Sequence, residues 1–174
     1  MTPAAQPLAA TPVEIAIESD LWAAAPGAEA IVRRAIAAAA DVVRALPAAS
    51  GEVSVVLADD AALRALNSQW RQIDKPTNIL SFPATAPRAS NGMPRLLGDI
   101  AVAYETTARE AAAEHKPVIH HLAHLAVHGF LHLVGYDHES DEAGDEMERL
   151  EAKILARLDI PNPYGARPRP DDAA

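Results

Sequence analysis

No cysteine occurs among the 174 residues, which excludes disulfides and thiolate metal sites. Any metal centre in this chain must therefore be built from imidazole or carboxylate. Aromatic side chains are scarce, at 4%, so Trp70, Phe82 and Tyr136 are too few to be read as a base-stacking platform. Long apolar runs are missing as well: no stretch approaches the roughly 18 residues that a bilayer-spanning helix needs. Residues 1–11 have neither a basic nor an apolar segment of the secretory kind. A soluble cytoplasmic protein with no membrane association is the expectation. Positive charge is in deficit, with a net charge of −9, which argues against a protein that holds nucleic acid by bulk charge; no DNA binding is expected.

What the chain does have is apolar residues, 49% of the total, enough for one domain with a sizeable core. Its charge is also unevenly spread. Residues 61–95 carry five cations (Arg64, Arg71, Lys75, Arg88, Arg95) against the single anion Asp74, so this segment is +4 and the remainder −13. Seven of the acids fall between Glu139 and Glu151. Such a basic face on an acidic body can meet phosphate, or it can be ordinary surface scatter.

Residues 1–12 read as a disordered lead, 13–160 as one domain and 161–174 as a flexible tail. Alternation marks a half-buried strand at 13–18, and helical spacing of apolar residues marks a helix at 26–46. A second strand covers 52–58. Asp59 or Asp60 can cap the next helix, with Leu63, Leu66 and Trp70 as its inner stripe. Asn78 to Phe82 reads as a third strand ended by Pro83, 84–95 as the one long loop and 96–103 as the fourth strand. Thr107 and Glu110 can form a capping box within a helix at 104–115, and Pro117 suits the first turn of the helix that follows. A last helix at 140–158 puts Met147, Leu150, Ile154 and Leu158 inward and its acids outward. These elements predict a single α+β domain, an approximately four-stranded mixed sheet packed with four to six helices, mostly on one face.

All seven histidines lie between His115 and His138. On a helix, His128 and His132 share a face with Cβ atoms roughly 6 Å apart. Gly135 can end that helix, and His138 follows on the returning chain. Three neutral imidazoles with no fourth side chain describe an open zinc site, between the C-terminal helix and the following turn, that leaves a position for water or substrate. His124, one turn earlier, is the expected spectator, near the site without touching the ion. His115, His120 and His121 are expected to be solvated. The spacing is that of the metzincin zinc proteases, except that Gly129 stands where those enzymes carry the glutamate that serves as general base.

The run from His128 to His138 (HGFLHLVGYDH) resembles the YbeY family of bacterial ribosomal-RNA maturation factors, described as single-strand endoribonucleases. Asn67-Ser68-Gln69-Trp70-Arg71, Pro76-Thr77-Asn78-Ile79-Leu80-Ser81-Phe82-Pro83 and Leu97-Gly98-Asp99-Ile100 agree with it, and the likeness covers about 13–158. One departure is Asn78, where the family pattern usually has Asp. The resemblance implies one Zn2+ per chain on His128, His132 and His138 and a catalytic arginine at Arg71. His124, Ser81 and Asp137 are candidates for support of the metal or contact with substrate. Ribosomal RNA and the small ribosomal subunit or its proteins are the implied partners, with maturation of the 16S rRNA 3′ end and ribosome quality control as the implied roles. Read from the residues alone, Arg71 is equally a surface ion pair with Asp74. Two rivals stay open: a metal-dependent hydrolase of another bond, with Glu139 or Asp137 as its base, and a non-enzymatic assembly factor with a structural zinc.

Overall fold

The computed structural model describes residues 11–85 and 95–165. Four strands form one sheet in the order β1-β2-β4-β3. These are β1 (Val13–Ile17), β2 (Glu52–Ala58), β3 (Ile79–Pro83) and β4 (Leu96–Ala103). β1, β2 and β4 run parallel, and β3 is antiparallel to β4. The helices are α1 (Ala28–Val42), α2 (Asp60–Arg71), α3 (Tyr104–Ala113), α4 (Val118–Leu133) and α5 (Asp141–Ala156). This is the expected α+β domain. The expected long loop and both terminal stretches fall largely outside the described residues.

Alternation along the central strands explains the layering. Val53, Val55 and Leu57 of β2, with Ile100 and Val102 of β4, point into the main core beside α1, α4 and α5. Ala58, Leu80, Ala101 and Ala103 point the other way, into a small cluster closed by Leu63 of α2. Three helices thus cover one face and α2 packs on the other. Phe130 of α4 and Ile36 of α1 are completely buried in the larger layer, each worth roughly 1.5–3 kcal/mol of apolar burial.

Several local expectations are corrected. Asp59 is the residue that caps α2, accepting from Ala62 N–H at 2.9 Å. Trp70 is 64% exposed rather than part of an inner stripe. The stripe runs instead through Leu63 and Asn67, whose side-chain amide donates to Lys75 O at 2.9 Å and ties down the chain leaving the helix. Thr107 and Glu110 form no capping box, because α3 begins at Tyr104 and Thr107 is fully buried. Glu110 has another use: its Oε2 accepts from the Asn78 amide at 3.0 Å and meets His121 Nε2 at 2.7 Å. Asn78 is thus a donor, and a carboxylate there would face Glu110 as a like charge.

A candidate metal centre at the end of α4

α4 is apolar nearly all round, which buries it, and its polar exceptions are mainly histidines. It ends in a Schellman arrangement. Gly135, at φ 105°, donates to His132 O at 3.1 Å, and Tyr136 N–H donates to Leu131 O at 3.0 Å. That left-handed residue turns the chain so that His138 comes back over the helix. One donor nitrogen from each of His128, His132 and His138 lies within 4.8 Å of the other two. The His128 and His132 Nε2 atoms face each other at 3.0 Å.

Burial, and then the neighbouring imidazoles of His128 and His138, hold the His132 ring below the usual protonation range. A neutral ring keeps a lone pair for a cation. Three imidazole donors, with no thiolate and, among the described residues, no fourth side chain in the cluster, suit an ion such as zinc, whose bonds to nitrogen are about 2.0–2.1 Å.

Behind His128 lies a residue that periodicity alone misassigned. Glu151 of α5, expected outward with the other acids, is 0% exposed. Its Oε1 accepts from His128 Nδ1 at 2.5 Å, and its Oε2 meets His124 Nε2 at 3.2 Å and the Tyr164 hydroxyl. Burial alone would raise the Glu151 pKa, but hydrogen bonds from His124, His128 and Tyr164 outweigh it and bring the carboxyl to about 2. An ionised Glu151 takes the Nδ1–H of His128, which fixes the tautomer and turns Nε2 toward the ion position. The signal was in the sequence: Glu151 lies four residues after Met147 and three before Ile154, on the apolar stripe itself.

The other expected residues sort as follows. His124 belongs to the Glu151 network, with its ring edge-on to Tyr164 at a centroid distance of 5.6 Å. Tyr164 comes from the stretch expected to be a tail. His121, expected to be solvated, is buried against Glu110. Asp137 caps its own turn, accepting from Glu139 N–H at 3.2 Å. The Ser81 hydroxyl donates to Gly129 O at 3.4 Å.

Gly129 itself packs on the sheet. A Cβ there would stand 2.9 Å from Ile79 Cδ1 and 3.1 Å from both Ile100 Cδ1 and Ser81 Oγ. The close approach of α4 to β3 and β4 therefore makes any larger residue at this position crowd the tips of Ile79, Ile100 and Ser81.

Arg71 lies elsewhere, at the end of α2 on the opposite face of the sheet. The alternative pair with Asp74 does not form, because Arg64 grips Asp74 with two hydrogen bonds of 2.7 and 3.0 Å. Arg71 is exposed and has no carboxylate partner among the described residues.

The family model described as Endoribonuclease YbeY matches residues 16–159, a span that contains the histidines, Glu151 and Arg71. The chain belongs to this family. A YbeY relative named Endoribonuclease YbeY, from Bradyrhizobium sp. strain BTAi1, is 57% identical over 91% of this chain and 95% of its own length. A YbeY relative of the same name from Nitrobacter hamburgensis is 55% identical over 90% of this chain and 83% of its own. Among the described residues, no helix is long and apolar enough to cross a membrane.

Proposed function

We propose that this protein is a zinc-dependent endoribonuclease of the cytoplasm that cuts single-stranded ribosomal RNA. Its expected roles are maturation of the 16S rRNA 3′ end and ribosome quality control, in contact with the small subunit or its proteins. Family membership supports the RNA substrate class. The observation that carries the chemistry is the convergence of three imidazoles on one point, with a buried carboxylate behind the first.

A zinc ion there supplies positive charge that activates the attacking oxygen or polarises the phosphate, worth several kcal/mol of barrier. Imidazole ligands, unlike thiolates or carboxylates, bring no negative charge, so His128, His132 and His138 would leave the charge of the cation undiminished. Glu151 fixes His128 in the one tautomer that can serve as a ligand. Arg71, with a planar fork and no carboxylate partner among the described residues, holds a backbone phosphate of the RNA beside the site. Gly129 contributes no base, which removes the zinc-protease route.

The test is cleavage of labelled single-stranded RNA by the full chain, before and after chelation and after zinc is restored, beside a His132→Ala protein purified identically. Loss on chelation, recovery with zinc and no recovery in the variant are expected. Equal cleavage by wild type and variant would overturn the reading, since it is the mark of a contaminant. Cleavage of peptides but not RNA, or a melting point that collapses without metal while no RNA is cut, would favour the other hydrolase or the structural zinc.

A further inference from the structure

Tryptophan is costly to leave in water, and the two in this chain are treated oppositely. Trp22 is 3% exposed, with its indole N–H donating to Ala58 O at 2.8 Å. Trp70 is 64% exposed in the last turn of α2, and beyond it Ile73 is 41% exposed. Phe82 of β3 supports the Trp70 ring from beneath, with centroids 6.0 Å apart and planes tilted by 58°. One indole face is therefore held in place and left open. Around it the charge is positive on a chain whose net charge is negative: Arg71 and Lys75 are exposed with no carboxylate partner among the described residues, and Asp74 is paired with Arg64.

We infer that Trp70, supported by Phe82, is a binding site for an unpaired nucleobase of single-stranded RNA, and that Arg71 and Lys75 hold the phosphates flanking that base. The inference rests on the endoribonuclease reading and names where its substrate is gripped. Stacking on an aromatic face requires no particular base and is the usual way a protein holds unpaired RNA. A duplex hides its base faces and offers the indole nothing. The position relative to the metal centre follows from β3. Phe82 faces α2 on one side of this outer strand, while the adjacent Ser81 faces the other side and bonds Gly129 O, next to His128. A strand stacked on Trp70 thus lies one sheet thickness from the metal helix, at the margin where the sheet ends.

The two tryptophans make the test direct. Short single-stranded 2′-O-methyl oligoadenylate, which lacks the free 2′-hydroxyl, is titrated into the full-length protein with its metal while indole emission is followed. Saturable quenching is expected from Trp70. In Trp70→Leu the remaining Trp22 emission should be unchanged, which reports an intact core. The oligonucleotide, followed by anisotropy, should bind this variant about tenfold or more weakly, from the usual worth of one stacked base. Trp70→Phe should recover most of the affinity, and a duplex of equal length should not quench. In cleavage assays the Trp70→Leu loss should fall on KM rather than kcat. Full occupancy without quenching, or equal binding by Trp70→Leu, overturns the inference and leaves the patch to a protein partner. Wild-type KM in Trp70→Leu removes the base site and leaves the nuclease standing. Quenching with no cleavage of any RNA keeps the base site and removes the nuclease.

Discussion

The two faces of the sheet are built on opposite principles. On the α4 face the carboxylate behind His128, Glu151, is buried, and each of its oxygens has a partner. On the α2 face the cations Arg71 and Lys75 stand in solvent with no carboxylate partner among the described residues, beside a largely exposed indole. A ligand position must be fixed before its ion arrives, and fixing requires burial and hydrogen bonds. A substrate grip must stay open because its partner comes from outside. The difference teaches that preorganisation and vacancy are separate tasks, here assigned to different layers.

The comparison breaks most visibly at the histidines. His132→Ala is expected to lose its metal, measured by elemental analysis, and to cut RNA roughly a thousandfold more slowly or worse, given the several kcal/mol a catalytic cation supplies. Arg71→Ala strikes the open face. Its kcat/KM should fall by about 10- to 100-fold, the usual worth of a hydrogen bond to a charged group, while its melting point stays within about 2 °C of wild type, because an exposed side chain with no ion pair supports no packing.

Glu151→Gln tests whether the closed face acts through the ligand. It should weaken zinc binding by about 10- to 100-fold in competition with a chromophoric chelator. An unchanged affinity would demote Glu151 to a packing residue. Gly129→Glu forces a charge between α4 and the sheet and should lower the melting point by roughly 5–10 °C, as expected for a loss of about 2–3 kcal/mol. It should gain no peptidase activity.

The smallest effect concerns pH. Burial lowers the His121 pKa from its ordinary value of 6.5, with the Glu110 hydrogen bond pulling the other way and Lys116 and His124 nearby adding to the lowering. The folded value lies below the unfolded one, so the unfolded chain takes up the proton first. The stability that neutral His121 contributes is complete above pH 6.5 and is lost as pH falls from there. The fall in melting temperature from pH 7 to pH 5 should be shallower in His121→Gln.

The sheet and the cluster of three histidines are legible in the sequence for the same reason: both are local. Strands 52–58 and 96–103 announce themselves by their apolar runs 55–58 and 100–103, and the three histidines lie within eleven consecutive positions. What escaped depends on tertiary contact. Glu151 was counted among solvated acids because its neighbours in sequence are solvated, although its helical position matches Met147 and Ile154. Trp70 was assigned to the core by spacing, yet α2 turns Leu63 and Asn67 to the sheet and leaves its last turn at the flank. His121 and Tyr164 acquire their partners only when α3 and α5 pack against α4.

The closeness of the ligands in sequence has one more consequence. A cross-link stabilises a fold by shortening the loops of the unfolded chain, and its effect grows with the length of loop it closes. An ion on His128, His132 and His138 closes only a helix turn and the bend after it. An unfolded chain retains the same cluster of imidazoles and can still hold metal, which shrinks the difference in affinity that mass action converts into stability. An ion bound there would thus be a weak clamp on the fold, whose core of α1, α4 and α5 is packed by apolar side chains. A metal held where it would do little for stability would be free to serve chemistry.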